Sequence, residues 1–266
     1  MPSEKAPVLA AAIRASGRIA EDDVRSLRRA IWGDGRGVGH TWATTLLALH
    51  REVPDQAGSW AELYREALIE FFLDGRGDET VDEPAADMLL REIASDGVVA
   101  DTTELWLLLD LIFRARHSPA RLVAFARDSL LACIAGGTVS LSGKGGRQPG
   151  FIDADEVEAI RRLVYGRGGA DGMQVGEAEA LWLVDLDRAS AAADNVPDWG
   201  QLFVRALAMY LLLGRSTGEQ LDQAGVAWIQ QHLDGGKGLT SNGRALLAYL
   251  RREAREVDLA LTALAA

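Results

Sequence analysis

The chain has 266 residues, of which 48% are hydrophobic and 25% are charged, and its formal net charge at pH 7 is −11. This composition is typical of a globular protein and excludes disordered, collagen-like and coiled-coil chains. We expect no nucleic-acid partner, because binding to phosphate depends on an excess of Lys and Arg.

The start of the chain lacks the charged region, long apolar stretch and cleavage site of a secretion signal. The longest apolar runs, at 105–109 and 207–213, are far shorter than the ~20 residues that a membrane-spanning helix needs. The single cysteine, Cys133, lies in an apolar run and is expected in the core. The sequence therefore predicts a cytoplasmic protein with no membrane insertion.

An internal duplication begins near the start of the chain. Residues 19–33 align without a gap with residues 152–166. The match resumes further along, where residues 60–68 align with residues 199–207. Because repeats of this kind define the architecture, we expect two homologous halves with the same order of helices.

The last part of each half matches in pattern more than in identity. Residues 81–109 align with residues 221–249, which places Met88 opposite Trp228. Within each half a helix, a glycine-containing loop with an apolar residue and a second helix recur. The sequence thus predicts helix-loop-helix repeats inside each half.

The expectation of helices rests on apolar spacing and on capping residues. Apolar side chains recur every three or four residues after Trp60 and after Trp199, which is the pattern of a half-buried helix. Ser59 with Glu62 forms a capping signature before the first of these stripes. No sustained alternation of apolar and polar residues indicates strands. The predicted fold class is all-α.

The predicted domains are 1–135 and 151–266, joined by a Gly- and Ser-rich linker at 136–150. Such a composition is typical of flexible linkers. The alternative is that 136–150 forms a short ordered excursion, even a pair of small strands, and that the halves pack as one body.

Four loops resemble degenerate EF-hands, because an acidic residue, a glycine and an apolar residue precede the next helix; they are residues 33–39, 95–101, 166–176 and 234–241. A calcium-binding EF-hand needs oxygen ligands at fixed loop positions. Counted back from Val175, the first three ligand positions hold Gly168, Ala170 and Gly172. None of these residues has a side-chain oxygen that could bind calcium. The alternative interpretation is a glycine turn whose carboxylates favour the N-terminus of the following helix.

The segment 171–186 and the helix that starts at Trp199 resemble the duplicated helical domains of the TerB-like class, and uncharacterised bacterial proteins with EF-hand-like repeats. The resemblance implies an acidic helical module, sometimes metal-associated, that works through protein contacts. The positions that match are Asp171, Glu177 and Glu179, which become the candidate metal ligands. The sequence departs from the resembled pattern by inserting Met173 and Gln174.

No sequence motif indicates catalysis. The four histidines stand at unrelated points of the repeat, and the chain has no P-loop, no Gly-x-Ser-x-Gly and no Cys-x-x-Cys motif. We therefore expect a non-catalytic protein-interaction or scaffold module, with another protein as its partner and no organic cofactor. The alternative is a regulatory protein that responds to a divalent metal, and an enzyme with a site between the halves stays a third interpretation.

Overall fold

The computed structural model describes residues 2–33, 35–73, 79–94, 99, 101–136, 141, 148–166, 174–214, 220–234, 236, 238–253 and 256–257. These residues are mainly helical, which confirms the all-α prediction. None of the helices among them is both long and apolar enough to cross a membrane.

The chain divides into two compact units, Met1–Leu122 and Val123–Ala266. This division falls before most of the seventh helix, whereas the sequence predicts a border at 136–150. Of that predicted linker, the structure describes residues 136, 141 and 148–150.

The described residues of the first unit form these elements in chain order: α1 (Pro2–Ser16), β1 (Arg18–Ile19), α2 (Glu21–Trp32), α3 (His40–Glu52), β2 (Asp55–Gln56), α4 (Trp60–Leu73), α5 (Glu83–Ile93) and α6 (Thr102–Arg114). The first residues of α7 (Ala120–Gly136) belong to the first unit and the rest to the second. The second unit continues with α8 (Ala154–Tyr165), α9 (Glu177–Ser190), α10 (Pro197–Met209), β3 (Gln220–Leu221), α11 (Gln223–Trp228), α12 (Ser241–Glu253) and β4 (Glu256–Val257). Two π-helical segments, Tyr210–Gly214 and Ile229–Asp234, continue α10 and α11.

Side-chain caps explain why several helices start where they do. The Asp23 carboxylate accepts a hydrogen bond from the Ala20 N–H at 2.9 Å before α2, and Glu156 accepts one from the Asp153 N–H at 3.0 Å before α8. The first N–H groups of a helix have no partner within the helix and give its N-terminus a partial positive charge. The nearby carboxylates therefore also stabilise the helix electrostatically.

A glycine turn follows the first helix of each unit. Gly17 has φ +71° and donates its N–H to the Ile13 carbonyl, while Gly150 has φ +80° and donates to the Ile134 carbonyl. Side chains rarely adopt this left-handed conformation, so glycine is favoured at both positions. The turn directs the chain toward Ile19 in one unit and Ile152 in the other.

Short parallel backbone pairings then tie each unit together. In the first unit β1 pairs with β2, and the Ala57 N–H donates to the Ile19 carbonyl. In the second, the Val196 N–H donates to the Ile152 carbonyl. Before the fifth helix Thr80 bridges His117 in the first unit, and β3 pairs with β4 in the second.

The strands therefore stand at different places in the two units: β1 and β2 precede α2 and α4, whereas β3 precedes α11 and β4 follows α12. The common origin of the two halves stays a prediction. So do the EF-hand-like repeats, because residues 34, 95–98, 100, 167–173, 235 and 237 of the four loops lie outside the described residues.

The core of each unit surrounds a tryptophan in the first turn of its fourth helix. Trp60 is fully buried and its ring centroid lies 5.9 Å from that of Tyr64. Trp199 is 1% exposed and lies 5.8 Å from Phe203. Aromatic rings at these separations add favourable edge contacts to the burial of apolar surface.

Replacing Gly150 by alanine tests the turn. A Cβ at Gly150 would stand 2.6 Å from the Ala189 carbonyl oxygen, in addition to the strain of φ +80°. We expect Gly150→Ala to lower the free energy of unfolding by about 1–3 kcal/mol, measured by urea denaturation. Gly17→Ala, which adds strain but meets no atom within 4 Å, should lower it less. Gly58→Ala is the unstrained control, and an equal loss in all three variants would contradict this account.

Candidate functional site

A groove of about 400 Å³ opens on the first unit. The start of α3, the end of α4 and the start of α5 form its walls. Its main lining residues are Val38, His40, Phe71, Phe72, Pro84, Ala85 and Met88. We call it the α4–α5 groove. Phe72 and Val38 are buried, whereas Phe71, Ala85 and Met88 remain half-exposed, so the groove presents apolar surface to a ligand.

Glu70 fixes one wall of this groove. One of its carboxylate oxygens accepts a hydrogen bond from the Val38 N–H at 3.0 Å, and the other accepts one from Trp32 Nε1 at 2.6 Å. Gly37 approaches the same carboxylate so closely that a Cβ there would lie 2.5 Å from it. These contacts hold the segment before α3 against α4.

The opposite wall is the first part of α5. The Asp82 carboxylate caps this helix by accepting a hydrogen bond from the Ala85 N–H at 2.9 Å, and Pro84 occupies the first turn, where its missing N–H is not needed. Arg121 binds both exposed carboxylates of this wall, with Nε donating to Glu83 at 2.7 Å and Nη1 contacting Asp87.

The second unit has two aromatic residues at the matching positions. Trp228 follows the capping Asp222 at the same distance along the chain as Met88 follows Asp82, and Asp222 likewise caps its helix through the Gly225 N–H. Tyr210 follows Trp199 as Phe71 follows Trp60.

The rings of Tyr210 and Trp228 pack edge to face with centroids 5.2 Å apart. Tyr210 is 3% exposed and Trp228 4%. In the second unit an indole thus occupies the position that Met88 has in the first. Both aromatic residues stand where α-helical hydrogen bonding changes to π-helical bonding, a wider turn that often accompanies a local insertion.

A buried histidine links α3 to α6 in the first unit. Trp60 Nε1 donates to His50 Nδ1 at 3.0 Å, so Nδ1 is an acceptor and a ring proton is on Nε2. His50 Nε2 lies 2.8 Å from Asp101 Oδ2, and the other oxygen of Asp101 caps α6 by accepting from the Glu104 N–H. Each ring nitrogen thus lies against a protein group, although the short Nε2–Asp101 contact lacks hydrogen-bond geometry. A general base needs one nitrogen free for its substrate.

This contact shifts the pKa of Asp101. Burial raises the pKa of this carboxyl, but the contact with His50 and the hydrogen bonds from the capping N–H groups outweigh it, so the net direction is downward. Burial, with the carboxylates of Glu104 and Asp101, raises the pKa of the Tyr64 phenol, whose ring centroid lies 4.3 Å from that of His50.

The second unit makes the corresponding link with other groups. Asp187 lies in α9 where His50 lies in α3, and accepts hydrogen bonds from the Thr240 hydroxyl and from Asn242 Nδ2, the latter at 2.7 Å. Thr240 also caps α12 by accepting from the Gly243 N–H at 2.9 Å. Burial raises the pKa of Asp187, although these two hydrogen bonds act to lower it.

Two of the three predicted metal ligands, Glu177 and Glu179, lie in the first turn of α9. Asp171 falls outside the described residues, Glu177 is exposed, and Glu179 is buried. One oxygen of Glu179 binds the Arg127 guanidinium, and the other accepts the Gly176 N–H at 3.0 Å. A metal ion at this carboxylate would have to displace Arg127. Within the described ranges, no three His, Cys, Asp or Glu side chains are grouped as a metal site.

A second groove, of about 490 Å³, runs along α12. Arg244 and Arg251 line it, together with apolar side chains such as Leu247. The Arg244 guanidinium donates to the Leu239 carbonyl at 2.7 Å and to Ser241 Oγ at 3.2 Å, so it binds the start of its own helix.

The sequence predicted the residues around Glu179 as a site but did not single out the α4–α5 groove. The available signal was the pairing of Met88 with Trp228 in the duplication. Comparison of the chain with family profiles, curated proteins and solved structures finds no match. The assignment of function therefore depends on the geometry of this chain.

The buried pair of Glu179 and Arg127 generates a prediction. Their side chains are only 4% and 9% exposed, and removing one partner leaves a buried charge without compensation. We expect Glu179→Gln to lower the free energy of unfolding by about 3 kcal/mol, measured by urea denaturation, with the same loss in calcium and in chelator.

Glu177→Gln is the matched control because Glu177 is exposed in the same first turn. It should lower stability by only about 0.3–1 kcal/mol. If calcium stabilised the native chain and Glu179→Gln abolished that gain, the divalent-metal alternative would be favoured instead.

Asp101 and Asp187 should give opposite pH dependences. The lowered pKa of Asp101 adds stability above the ordinary Asp pKa of about 3.9, and this contribution is lost as the pH falls through the folded value. The raised pKa of Asp187 adds stability below that ordinary value, and the contribution is lost as the pH rises through the folded value.

Urea denaturation between about pH 3 and pH 6 would measure both effects. Relative to the unchanged chain, Asp101→Asn should reduce the loss of stability on acidification, whereas Asp187→Asn should reduce the loss on raising the pH through this range. Shifts of the same sign in the two variants would contradict the assignment.

Proposed function

We propose that this protein is a non-catalytic interaction module that binds an apolar segment of another protein in the α4–α5 groove. The observation that carries the proposal is the groove itself, whose apolar side chains come from α4, α5 and the segment before α3 and are in part exposed. Concave apolar surfaces of this size are typical binding sites, and peptides dock in such grooves through a few apolar anchors.

The rigidity of the walls supports this proposal. Glu70 holds the segment before α3, and Asp82 fixes the start of α5. A site that is already in its binding geometry loses less conformational entropy when a ligand is bound. The groove therefore needs little rearrangement to accept a partner.

The arrangement of His50 supports the non-catalytic part of the proposal. In the described structure this imidazole contacts Trp60 on one side and Asp101 on the other, which suits a structural link between helices. Asp187 provides the matching link in the second unit. The contacts of His50 and Asp187 are explained by their roles in folding, and no substrate is needed to explain them.

Selection from a random peptide library on the immobilised full chain would test the proposal. Peptides that are enriched should bind the chain in fluorescence anisotropy, and Ala85→Arg should weaken them by about tenfold or more, because the long charged side chain enters an apolar site. Ala178→Arg is the matched control, since Ala178 is exposed in the first turn of α9. Equal binding by the Ala85→Arg chain would overturn the assignment of the groove.

A further inference from the structure

The two units carry different side chains at one aligned helix position, Met88 in the first and Trp228 in the second. In the second unit the indole of Trp228 packs on Tyr210 and both side chains are almost fully buried. In the first unit the smaller, unbranched Met88 stands at that position beside the half-exposed Phe71, and the α4–α5 groove is open there. The chain itself thus contains an example of an aromatic ring filling this place in the fold.

We infer that the ligand of the α4–α5 groove is a segment of another protein anchored by one aromatic side chain, which takes the place that Trp228 takes in the second unit. This inference rests on the proposed function and adds the chemistry of the partner. Met88 and Phe71 suit such an anchor, because thioether sulfur and aromatic edges both make favourable contacts with a π-face.

The negative charge beside the α4–α5 groove favours particular residues next to the aromatic anchor of the partner. Glu83 and Asp87 are exposed on the α5 wall, with side chains 67% and 61% exposed, and they share the single guanidinium of Arg121. The whole chain carries a net charge of −11. A partner with Lys or Arg beside its aromatic anchor is therefore favoured over an acidic one, and its binding weakens as salt is raised.

The test uses short lysine-flanked synthetic peptides that are identical except for a central Trp, Leu or Ala. Each is titrated into the full chain labelled at its methionine methyl groups and followed by NMR. Met88 reports on the α4–α5 groove, whereas Met209 lines a separate groove with Tyr249 in the second unit and is the internal control. The Trp peptide should shift the Met88 signal, leave Met209 unchanged and bind about tenfold or more tightly than the Leu and Ala peptides.

A larger side chain in place of Met88 should fill the α4–α5 groove and weaken the binding of the Trp peptide. Met88→Trp introduces the side chain that the second unit carries and should reduce affinity for the Trp peptide about tenfold or more. If that variant does not fold, Phe71→Ala, which removes the opposite wall, should give the same loss.

The outcomes separate the two proposals. Equal affinities for the Trp and Leu peptides at Met88, or selected peptides without aromatic anchors that are weakened by Ala85→Arg, would overturn the aromatic inference and leave the proposed function standing. If neither the synthetic nor the selected peptides shift Met88, both proposals fail.

Discussion

Each unit depends on a polar contact that a buried side chain of its third helix makes at the start of its last helix. In the first unit His50 contacts Asp101, and in the second Asp187 binds Thr240 and Asn242. His50 and Asp187 are buried, and a buried polar group without a partner would destabilise the fold. Since Asp101 and Thr240 also cap α6 and α12, the same contact sets where the last helix begins. The rest of the unit packs around this link and around the tryptophan beside it.

The two units carry different side chains at one helix position, and the size of that side chain decides whether the position is filled. Trp228 fills its position in the second unit, whereas Met88 leaves the α4–α5 groove open in the first. The difference does not require a different fold, because the caps Asp82 and Asp222 begin the two helices in the same register. At this position the two units differ in side-chain volume.

The carboxylates that drew attention in the sequence have folding roles in the described structure. Among them, Glu179 binds Arg127 and accepts the Gly176 N–H at the start of α9. An acidic residue that follows a glycine-containing loop is chemically suited both to a metal and to a helix N-terminus. The sequence could not distinguish these uses, because the difference lies in whether a distant residue such as Arg127 reaches the carboxylate.

The amino-acid sequence by itself determined the helical class, because apolar spacing acts over a few neighbouring positions. The predicted cap of Ser59 with Glu62 does not form, since the Ser59 hydroxyl donates to the Glu21 carboxylate instead. The sequence also indicated the core, since Trp60 and Trp199 stand at the head of their apolar stripes and both are buried. Only the tertiary structure decided that α7 belongs mostly with the second compact unit, that His50 meets Asp101, and that Met88 lines an open groove. These features join residues far apart in the chain, and local spacing carries no information about which distant side chains meet or how much volume they leave unfilled.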